Sequence, residues 1–346
     1  GLASRISAAF EYGADTIGVS FEKEGTETKG GTPGFYNNMA FDKAAKEAGL
    51  KSVTINGDAY SNEVRQQVID ELKKFGTKVD LLVYSLASPV RTDPETKVMY
   101  KSVIKPIGQS YSGKCLDIIA EKLTEASAEP ANEEEMANTV KVMGGEDWKL
   151  WIDALTKAGV LNEGVCTVAY SYIGPELSHA IYRDGTIGGA KKHLEKTARE
   201  LDAQLKADLK GSAYVSENKG LVTRSSAVIP VISFYLAVLF KVMKSMNIHE
   251  GCIEQMERLF AERLYCGSNS EMTTVPVDSE NRIRMDDWEL RDDVQAKVVE
   301  NMNKTTDDNL AEYCDLAGYK HDFLSANGFD VAGVDYSKDV ERFDII

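Results

Sequence analysis

The sequence predicts an α/β protein built on a doubly wound parallel sheet. Short apolar runs alternate with segments of helical periodicity at the spacing of βαβ units. The run Val79–Ser85 is almost continuously apolar, which is typical of a parallel strand buried on both faces. We therefore expect a single Rossmann-type domain over 1–346 that binds its ligands outside the carboxyl ends of the strands.

The first half of the chain has a regular pattern. Its predicted strands are Thr16–Phe21, Lys51–Ile55 and Val79–Ser85. The helices that precede and separate them are Gly1–Tyr12, Tyr36–Ala48 and Asn62–Phe75. After Ala87 the pattern becomes irregular and rich in proline and glycine, so we expect a substrate-covering insertion over about 88–145.

Regular elements return after this insertion. The predicted strands are Val165–Tyr172 and Ala213–Ser216. The predicted helices are Glu146–Ala158, Gly189–Leu209, Ile229–Met246 and His249–Tyr265, and the region over about 224–346 is expected to be mainly helical. Because the pattern begins with a helix, we expect the central strand and its glycine-rich turn to precede Gly1.

Composition argues against several classes of function. A net charge of -15 argues against nucleic acid and anionic membrane surfaces as partners. The longest apolar run, Ala227–Phe240, is too short to span a bilayer. The five cysteines form no C-x-x-C pair, which indicates a reducing compartment such as the cytoplasm. The four histidines lack metal-ligand spacing, so we expect no metal site.

The ends of the first three predicted strands carry residues suited to a dinucleotide. A carboxylate such as Glu22 accepts hydrogen bonds from the adenosine ribose and would repel the extra phosphate of NADPH. Asp58 follows the second strand and could meet the adenine amino group, and small residues follow the third. Each is more often an ordinary loop residue, but three at one edge of the sheet predict a nucleotide site. The residues at these ends are Phe21, Glu22, Asp58, Ala59, Leu86 and Ala87.

A tyrosine and a lysine flank a glycine-containing turn after the strand Val165–Tyr172. Tyr182 lies before this turn, and Lys191 lies at the start of the helix Gly189–Leu209. A phenol can donate to a carbonyl oxygen, while an ammonium can hold a cofactor ribose and make the phenol more acidic. Such a pair alone is more often an ordinary turn. The neighbouring nucleotide site favours a catalytic pair.

With these motifs, the chain resembles the trans-2-enoyl-CoA reductases and the FabV-type enoyl-acyl-carrier-protein reductases, relatives of the short-chain dehydrogenases. The resemblance covers essentially the whole chain. Eight residues separate Tyr182 from Lys191, as in that family, whereas ordinary short-chain dehydrogenases have three and FabI-type reductases six. Segments that carry the resemblance are Gly34–Asn38, Val83–Pro89, Lys141–Trp148, Tyr170–Pro175, His249–Gln255 and Asn327–Asp330.

The resemblance implies NADH-dependent reduction of trans-2-enoyl thioesters. The thioester would be formed with coenzyme A or with acyl carrier protein. The setting would be fatty acid synthesis or fermentative butyryl-CoA formation. Tyr182 would be the catalytic tyrosine, Lys191 a catalytic residue that binds the nicotinamide ribose, and Tyr172 a substrate contact. The remaining implied cofactor contacts are Phe21, Glu22, Asp58, Ala59, Leu86, Ala87, Leu221, Val222 and Thr223.

In this reaction a hydride adds to the β-carbon, and charge builds on the thioester oxygen as an enolate. That oxygen needs a preorganised donor, for which Tyr182 and Tyr172 are both candidates. The α-carbon would take its proton from Tyr182 directly or through water. The stretch Ala227–Phe240 is expected to be a buried core helix that also walls the acyl pocket. Solvated surface is expected for Arg91, Lys101 and Lys105.

Two other classes of protein stay open. A short-chain carbonyl or alcohol dehydrogenase normally has a serine upstream of its tyrosine, and Ser171 and Ser178 lack that spacing. A non-catalytic nucleotide sensor would not need both Tyr182 and Lys191. The working unit is expected to be a monomer or a dimer.

Overall fold

The computed structural model describes residues 1–223, 226, 232–265 and 274–338. Its strands are β1 (Thr16–Ser20), β2 (Ser52–Asn56), β3 (Val79–Tyr84), β4 (Val90–Thr92), β5 (Met99–Lys101), β6 (Tyr111–Asp117), β7 (Lys122–Ala128), β8 (Leu161–Ser171), β9 (Ser212–Glu217) and β10 (Arg282–Arg284). Its helices are α1 (Leu2–Phe10), α2 (Pro33–Glu47), α3 (Asn62–Phe75), α4 (Glu133–Met143), α5 (Glu146–Lys157), α6 (Thr186–Leu209), α7 (Ile232–Ser245), α8 (Cys252–Leu259), α9 (Asp292–Lys304), α10 (Leu310–Tyr313) and α11 (Leu316–Ser325).

The predicted parallel α/β architecture is confirmed. Strands β3, β8, β9 and β10 form a four-stranded parallel sheet in the order β10–β9–β8–β3, and β1 pairs with β2 in parallel. Within the described residues, β1 and β3 are not hydrogen-bonded to each other. A cavity of about 930 Å³ lies between them and reaches the carboxyl ends of both strands at Ser20 and Ser85.

Local sequence accounts for several element boundaries. Helix α3 has the bounds predicted from the sequence, because Ser61 caps it by accepting a hydrogen bond from the Val64 N–H. Gly76 ends it in the left-handed conformation. Helix α6 begins at Thr186, three residues before the predicted start, so Gly188 and Gly189 belong to its first turn.

The insertion is more regular than the sequence pattern indicated. It contains two antiparallel hairpins, β4–β5 and β6–β7, followed by α4. The acidic stretch at its end starts α4, where Asn132 and Glu135 form a reciprocal capping box. The hairpins escaped prediction because β4 and β5 have only three residues each and most of the residues in β7 are not buried, so their apolar alternation is weak.

Arg91 in β4 is buried, which corrects the expectation of a solvated side chain. Only 1% of its surface is exposed. Its Nη1 donates to the Glu146 carboxylate at 2.7 Å and to the Lys141 carbonyl at 2.6 Å. The guanidinium therefore fastens the insertion to the turn between α4 and α5.

The two largest of the four hydrophobic clusters in the described part of the chain lie on the sheet and around α7. One lies between the sheet and helices α3, α5 and α6, with Trp148, Ile152 and Leu201 at its centre, and we call it the sheet core. The other surrounds α7 and includes Tyr182 and Val222, and we call it the α7 core. Helix α7 is buried as expected from Ile232 onward. Positions 229–231 of the predicted helix, and Cys266, lie outside the described residues.

The predicted helix His249–Tyr265 is observed as α8 and a π-helical turn, Phe260–Leu264. Among the described helices, none combines the length and apolar character needed to cross a membrane.

Candidate active site

Tyr172 lies directly after the last residue of β8, at the carboxyl rim of the sheet. Here Ser171 of β8 pairs in register with Glu217 of β9. The chain then turns back through Gly174, whose carbonyl lies 3.2 Å from the Nε2 atom of His179. This turn leads from Tyr172 to Tyr182 without leaving the rim.

Tyr182 lies in the turn that precedes α6, and 5% of its surface is exposed. The turn is tightly packed: a Cβ at Gly188 would lie 1.9 Å from the Arg183 carbonyl oxygen, so only glycine fits. The insertion supports the same turn, because the Thr186 N–H donates to the Lys105 carbonyl at 3.0 Å. The Thr186 hydroxyl donates to the Val103 carbonyl at 2.6 Å.

The structure brings Tyr172, Tyr182 and Lys191 together. The two phenol rings meet edge to face, with centroids 5.1 Å apart and an interplanar angle of 85°. Lys191 Nζ lies 5.8 Å from the Tyr172 ring centroid and 5.9 Å from that of Tyr182. It also donates a hydrogen bond to the Tyr172 carbonyl.

Burial controls the protonation of this group. It raises the pKa of Tyr182, and the charge of Glu289 adds to that effect. Burial lowers the pKa of Lys191 to about 8, against the opposing charges of Glu217 and Glu195. The pKa of Tyr182 is therefore raised by burial, and the expectation that Lys191 makes this phenol more acidic stays a prediction. Tyr182 is a protonated donor at neutral pH.

The two phenol hydroxyls differ in their hydrogen bonds. Tyr172 donates its proton to the Glu289 carboxylate at 3.0 Å. Within the described residues, the Tyr182 hydroxyl makes no hydrogen bond. A phenol has one proton to donate, so Tyr182 is the one of the two that can give it to a new acceptor.

The expected nucleotide contacts fall into two groups. Glu22 and Leu86 line the cavity between β1 and β3, as does Ala59, whose side chain is buried. The Phe21 side chain is 82% exposed, and Asp58 accepts a local hydrogen bond from the Tyr60 N–H at 2.9 Å. Ala87 is exposed beyond the end of β3.

The backbone around Glu22 is held in place from β2. Asn56 at the end of β2 accepts from the Glu22 N–H and donates to its carbonyl, both at 2.8 Å. Because both bonds use the backbone, they fix the position of the residue. The cavity that includes Glu22 does not include Tyr172, Tyr182 or Lys191 in its lining.

The loop Leu221–Thr223 follows β9. Val222 is buried in the α7 core together with Tyr182. Ser226 holds the loop by donating to the Leu221 carbonyl and accepting from the Thr223 N–H, both at 2.8 Å.

These residues fit NADH chemically. Glu22, after β1, offers a carboxylate for ribose hydroxyls, and Lys191, next to the carboxyl end of β8, offers an ammonium beside two phenols. The small residues at the end of β3 allow close approach of a nucleoside. The donor set therefore suits the two ends of a dinucleotide.

Sequence reasoning missed two buried carboxylates beside this group. Glu217 ends β9, is fully buried, and has neither carboxylate oxygen hydrogen-bonded within the described residues. Glu289, also fully buried, lies between β10 and α9. Glu217 could have been noticed as a charged residue at the end of an apolar strand. Glu289 lies 117 residues from Tyr172 in the chain and has no local motif.

Three family models match the chain. The model described as the trans-2-enoyl-CoA reductase catalytic region matches residues 29–265. The NAD(P)H binding domain of trans-2-enoyl-CoA reductase matches residues 1–27. A model described as the enoyl reductase FAD binding domain matches residues 277–340.

Close relatives agree with these matches. The trans-2-enoyl-CoA reductase [NADH] of Treponema denticola is 63% identical over the whole chain, which spans 85% of that protein. Its crystal structure in complex with NAD has a TM-score of 0.94, covering 99% of this chain and 84% of that one. The enoyl-[acyl-carrier-protein] reductase [NADH] of Flavobacterium johnsoniae is 55% identical over 99% of this chain and 85% of its own length.

The segment 277–340 does not provide a phosphate-binding turn for a flavin dinucleotide in its described part. Such a turn joins a strand to a helix and is rich in glycine. Gly318 lies inside α11, whereas Gly328 and Gly333 follow that helix. The described residues of the segment instead form β10 and helices α9–α11, whose apolar side chains Val294, Val298 and Leu310 belong to the α7 core.

Proposed function

Because the chain belongs to the trans-2-enoyl-CoA reductase family, we propose that Tyr182 and Lys191 perform its chemistry at the rim described above. The chain is an NADH-dependent oxidoreductase that reduces trans-2-enoyl thioesters to saturated acyl thioesters. The observation that supports the catalytic assignment is the convergence of Tyr172, Tyr182 and Lys191 within about 6 Å. Of the two tyrosines, Tyr182 is the one whose hydroxyl makes no hydrogen bond within the described residues.

The chain's own residues are assigned these steps. When bound, NADH supplies the hydride that adds to the β-carbon of the enoyl group. Tyr182 donates a hydrogen bond to the thioester oxygen, where negative charge develops in the transition state. Lys191 binds the nicotinamide ribose through its ammonium. Tyr172 contacts the substrate with its ring, since its hydroxyl already donates to Glu289.

The rest of the cofactor is assigned to the other points of the rim. Glu22 accepts hydrogen bonds from the adenosine ribose, which favours NADH over NADPH. The loop Leu221–Thr223 covers the nicotinamide side, a role supported by the burial of Val222 in the same hydrophobic cluster as Tyr182. The adenosine-side contacts proposed with them are Phe21, Asp58, Ala59, Leu86 and Ala87.

The insertion over about 88–145 is proposed to cover the acyl chain. Leu116 of β6 belongs to the α7 core with Tyr182, and Ser233 of α7 donates to its carbonyl at 2.8 Å. This contact supports a pocket between α7 and the β6–β7 hairpin. An apolar wall of this kind fits an acyl chain.

We further propose cytoplasmic action on coenzyme A thioesters, with acyl carrier protein as a second carrier, by a monomer or a dimer. The four cysteines in the described part of the chain are free thiols, which supports a reducing compartment. Sedimentation of the purified protein tests the oligomeric state, and anything larger than a dimer contradicts the proposal.

The deciding experiment follows NADH absorbance with purified protein and crotonyl-CoA. Oxidation of NADH that depends on the enoyl thioester is expected, with slower oxidation of NADPH. The same enoyl group on acyl carrier protein compares the two carriers. Oxidation with ketones but not with crotonyl-CoA would support a carbonyl reductase, and NADH binding without turnover on any enoyl thioester would support a sensor.

A further inference from the structure

Glu289 is a fully buried carboxylate that joins three separate parts of the active-site wall. Its Oε1 accepts from the Tyr172 hydroxyl at 3.0 Å and from the Tyr235 hydroxyl at 2.6 Å. Its Oε2 accepts from the Gly220 N–H at 2.5 Å. These donors come from the end of β8, from α7, and from the loop that leads to Leu221–Thr223.

The bond to Tyr172 completes a clamp on that residue. Lys191 donates to the Tyr172 carbonyl, and Glu289 accepts from its hydroxyl. The ring is held between these two bonds, edge-on to Tyr182. A shift of Glu289 would therefore change how Tyr172 faces the group that donates to the substrate.

The bond to Gly220 acts on the cofactor loop. A Cβ at Gly220 would lie 2.8 Å from Leu236 Cδ2 and 3.3 Å from the Tyr172 hydroxyl oxygen, so the loop passes close to both. The Gly220 N–H can reach Glu289 because no side chain stands between them. One carboxylate thus fixes the loop and Tyr172 relative to each other.

An isolated buried carboxylate is costly unless hydrogen bonds satisfy it. Glu289 has no salt bridge within the described residues: Lys219 is near, but its Nζ donates to the Gly220 and Glu250 carbonyls, both at 3.1 Å. Gln295 adds support by donating to the Glu289 carbonyl at 2.7 Å and to Tyr235 at 3.1 Å. The cluster is therefore built around the carboxylate.

We propose that Glu289 is a positioning residue of the reductase site, which sets Tyr172 and the loop Gly220–Thr223 in one fixed arrangement. The proposal rests on the function proposed above. It assigns Glu289 no contact with substrate or cofactor.

The test is a double-mutant cycle with Glu289→Gln and Tyr172→Phe, read as kcat and KM with crotonyl-CoA. Glu289→Gln is expected to lower kcat about 10- to 100-fold, because small displacements of reacting groups have effects of this size. The double variant is expected to be no slower than the slower single variant, since both changes act on the same contact: the neutral amide is a poorer acceptor than the carboxylate, and Tyr172→Phe removes the donor.

Glu250→Gln is the matched control. Glu250 is also buried, but its carboxylate pairs with Arg258 at 2.7 Å and accepts no hydrogen bond from Tyr172 or Gly220. Glu250→Gln is expected to lower the melting temperature. Its effect on kcat should multiply with that of Tyr172→Phe. The proposal is overturned if the kcat losses of Glu289→Gln and Tyr172→Phe multiply in the double variant. It is also overturned if the kcat of Glu289→Gln stays within about twofold of wild type.

Two measurements keep the outcome decisive. If Glu289→Gln does not fold, Glu289→Asp replaces it, because the shorter side chain keeps the charge and moves the acceptor away from Tyr172. The same coupling with Tyr172→Phe is expected for Glu289→Asp. A wild-type kcat in Glu289→Asp overturns the proposal. NADH affinity, measured without thioester, is expected to fall about fivefold in Glu289→Gln, the worth of one hydrogen bond to the loop. Unchanged affinity contradicts the role at Gly220. This readout also separates failure of the proposal from failure of the enoyl chemistry in the wild-type protein.

Discussion

The Tyr172 hydroxyl donates to Glu289, whereas the Tyr182 hydroxyl makes no hydrogen bond within the described residues. Substitution of Tyr182 tests this difference. Tyr182→Phe is expected to lower kcat about 100-fold or more, because it removes a donor needed mainly in the transition state. NADH affinity should stay close to wild type. Stopped-flow turnover and NADH titration measure both. Tyr214→Phe on β9 is the control and should retain turnover; equal turnover in the two variants would remove Tyr182 from the chemistry.

Lys191 gives the site a pH dependence. Its pKa is lowered to about 8, so the ammonium is present below that pH and is lost as the pH rises through it. The charge of Glu217 raises this pKa, and Glu217→Gln removes that charge. We expect kcat/KM for NADH to fall as the pH rises through the pKa of Lys191. In Glu217→Gln this fall is expected to begin at a lower pH than in the wild-type protein. Glu200→Gln, on the exposed face of α6, should leave the profile in place. Superimposable profiles for all three proteins would contradict the role of Glu217.

Glu22 tests the choice between NADH and NADPH. Glu22→Ala is expected to narrow the preference for NADH about tenfold, because it removes charge-assisted hydrogen bonds to the ribose and repulsion of the extra phosphate. The ratio of kcat/KM for the two cofactors measures it. Glu24→Ala changes an exposed neighbouring carboxylate and should keep the wild-type ratio. An unchanged ratio in Glu22→Ala would mean that Glu22 does not meet the ribose.

How much of the site was predictable depends on distance along the chain. Tyr172, Tyr182 and Lys191 fall within 20 residues, and one strand, one turn and one helix bring them together, so local pattern was sufficient. Glu289 reaches Tyr172 only through the pairing of β10 with β9 and the packing of α9 against α7. The misjudged Arg91 shows the same limit, since its partners Lys141 and Glu146 lie about 50 residues away.

At the scale of elements, prediction succeeded where capping and burial agreed. Helix α3 has both a serine cap and a glycine end, and its bounds were predicted correctly. Strand β8 begins at Leu161, earlier than expected, because the parallel pairing of Val79 with Leu161 extends it beyond the apolar run. The hairpins of the insertion depend on cross-strand pairing, which a single sequence does not reveal.

Helix α5 is held to α3 and β3 by a buried ion pair. Asp147 bonds Arg65 and accepts from the Tyr84 hydroxyl at 3.1 Å, and both charged side chains are at most 3% exposed. Asp147→Ala is expected to lower the free energy of unfolding by about 3–5 kcal/mol, since it leaves a buried guanidinium unpaired. Urea denaturation measures the loss.

The same helix provides the control. Asp153 pairs with Lys149 at 2.9 Å, and each side chain is more than 40% exposed. Asp153→Ala should cost less than about 1 kcal/mol, because solvent screens such a pair. Similar losses for the two variants would show that the Asp147 pair contributes no more than a surface contact.

For the whole molecule, cofactor binding should stabilise the fold. NADH at a hundredfold excess over its dissociation constant contributes about 2.7 kcal/mol to folding. We expect a rise of several degrees in the melting temperature by calorimetry. NADPH at the same concentration should give a smaller rise, and Tyr182→Phe should keep the full one. Equal shifts for both cofactors would contradict the placement of Glu22 at the ribose.

The sheet core and the α7 core are separate clusters, and their separation has an evolutionary consequence. The sheet core and the α7 core share no buried side chain, and the proposed nucleotide contacts at Glu22 and Leu86 lie on the side of the first. Substitutions beneath α7 can therefore reshape the proposed acyl pocket without repacking the layer that supports the proposed adenosine contacts. Selection for longer or shorter fatty chains could proceed in small steps, each leaving the choice of reductant untouched.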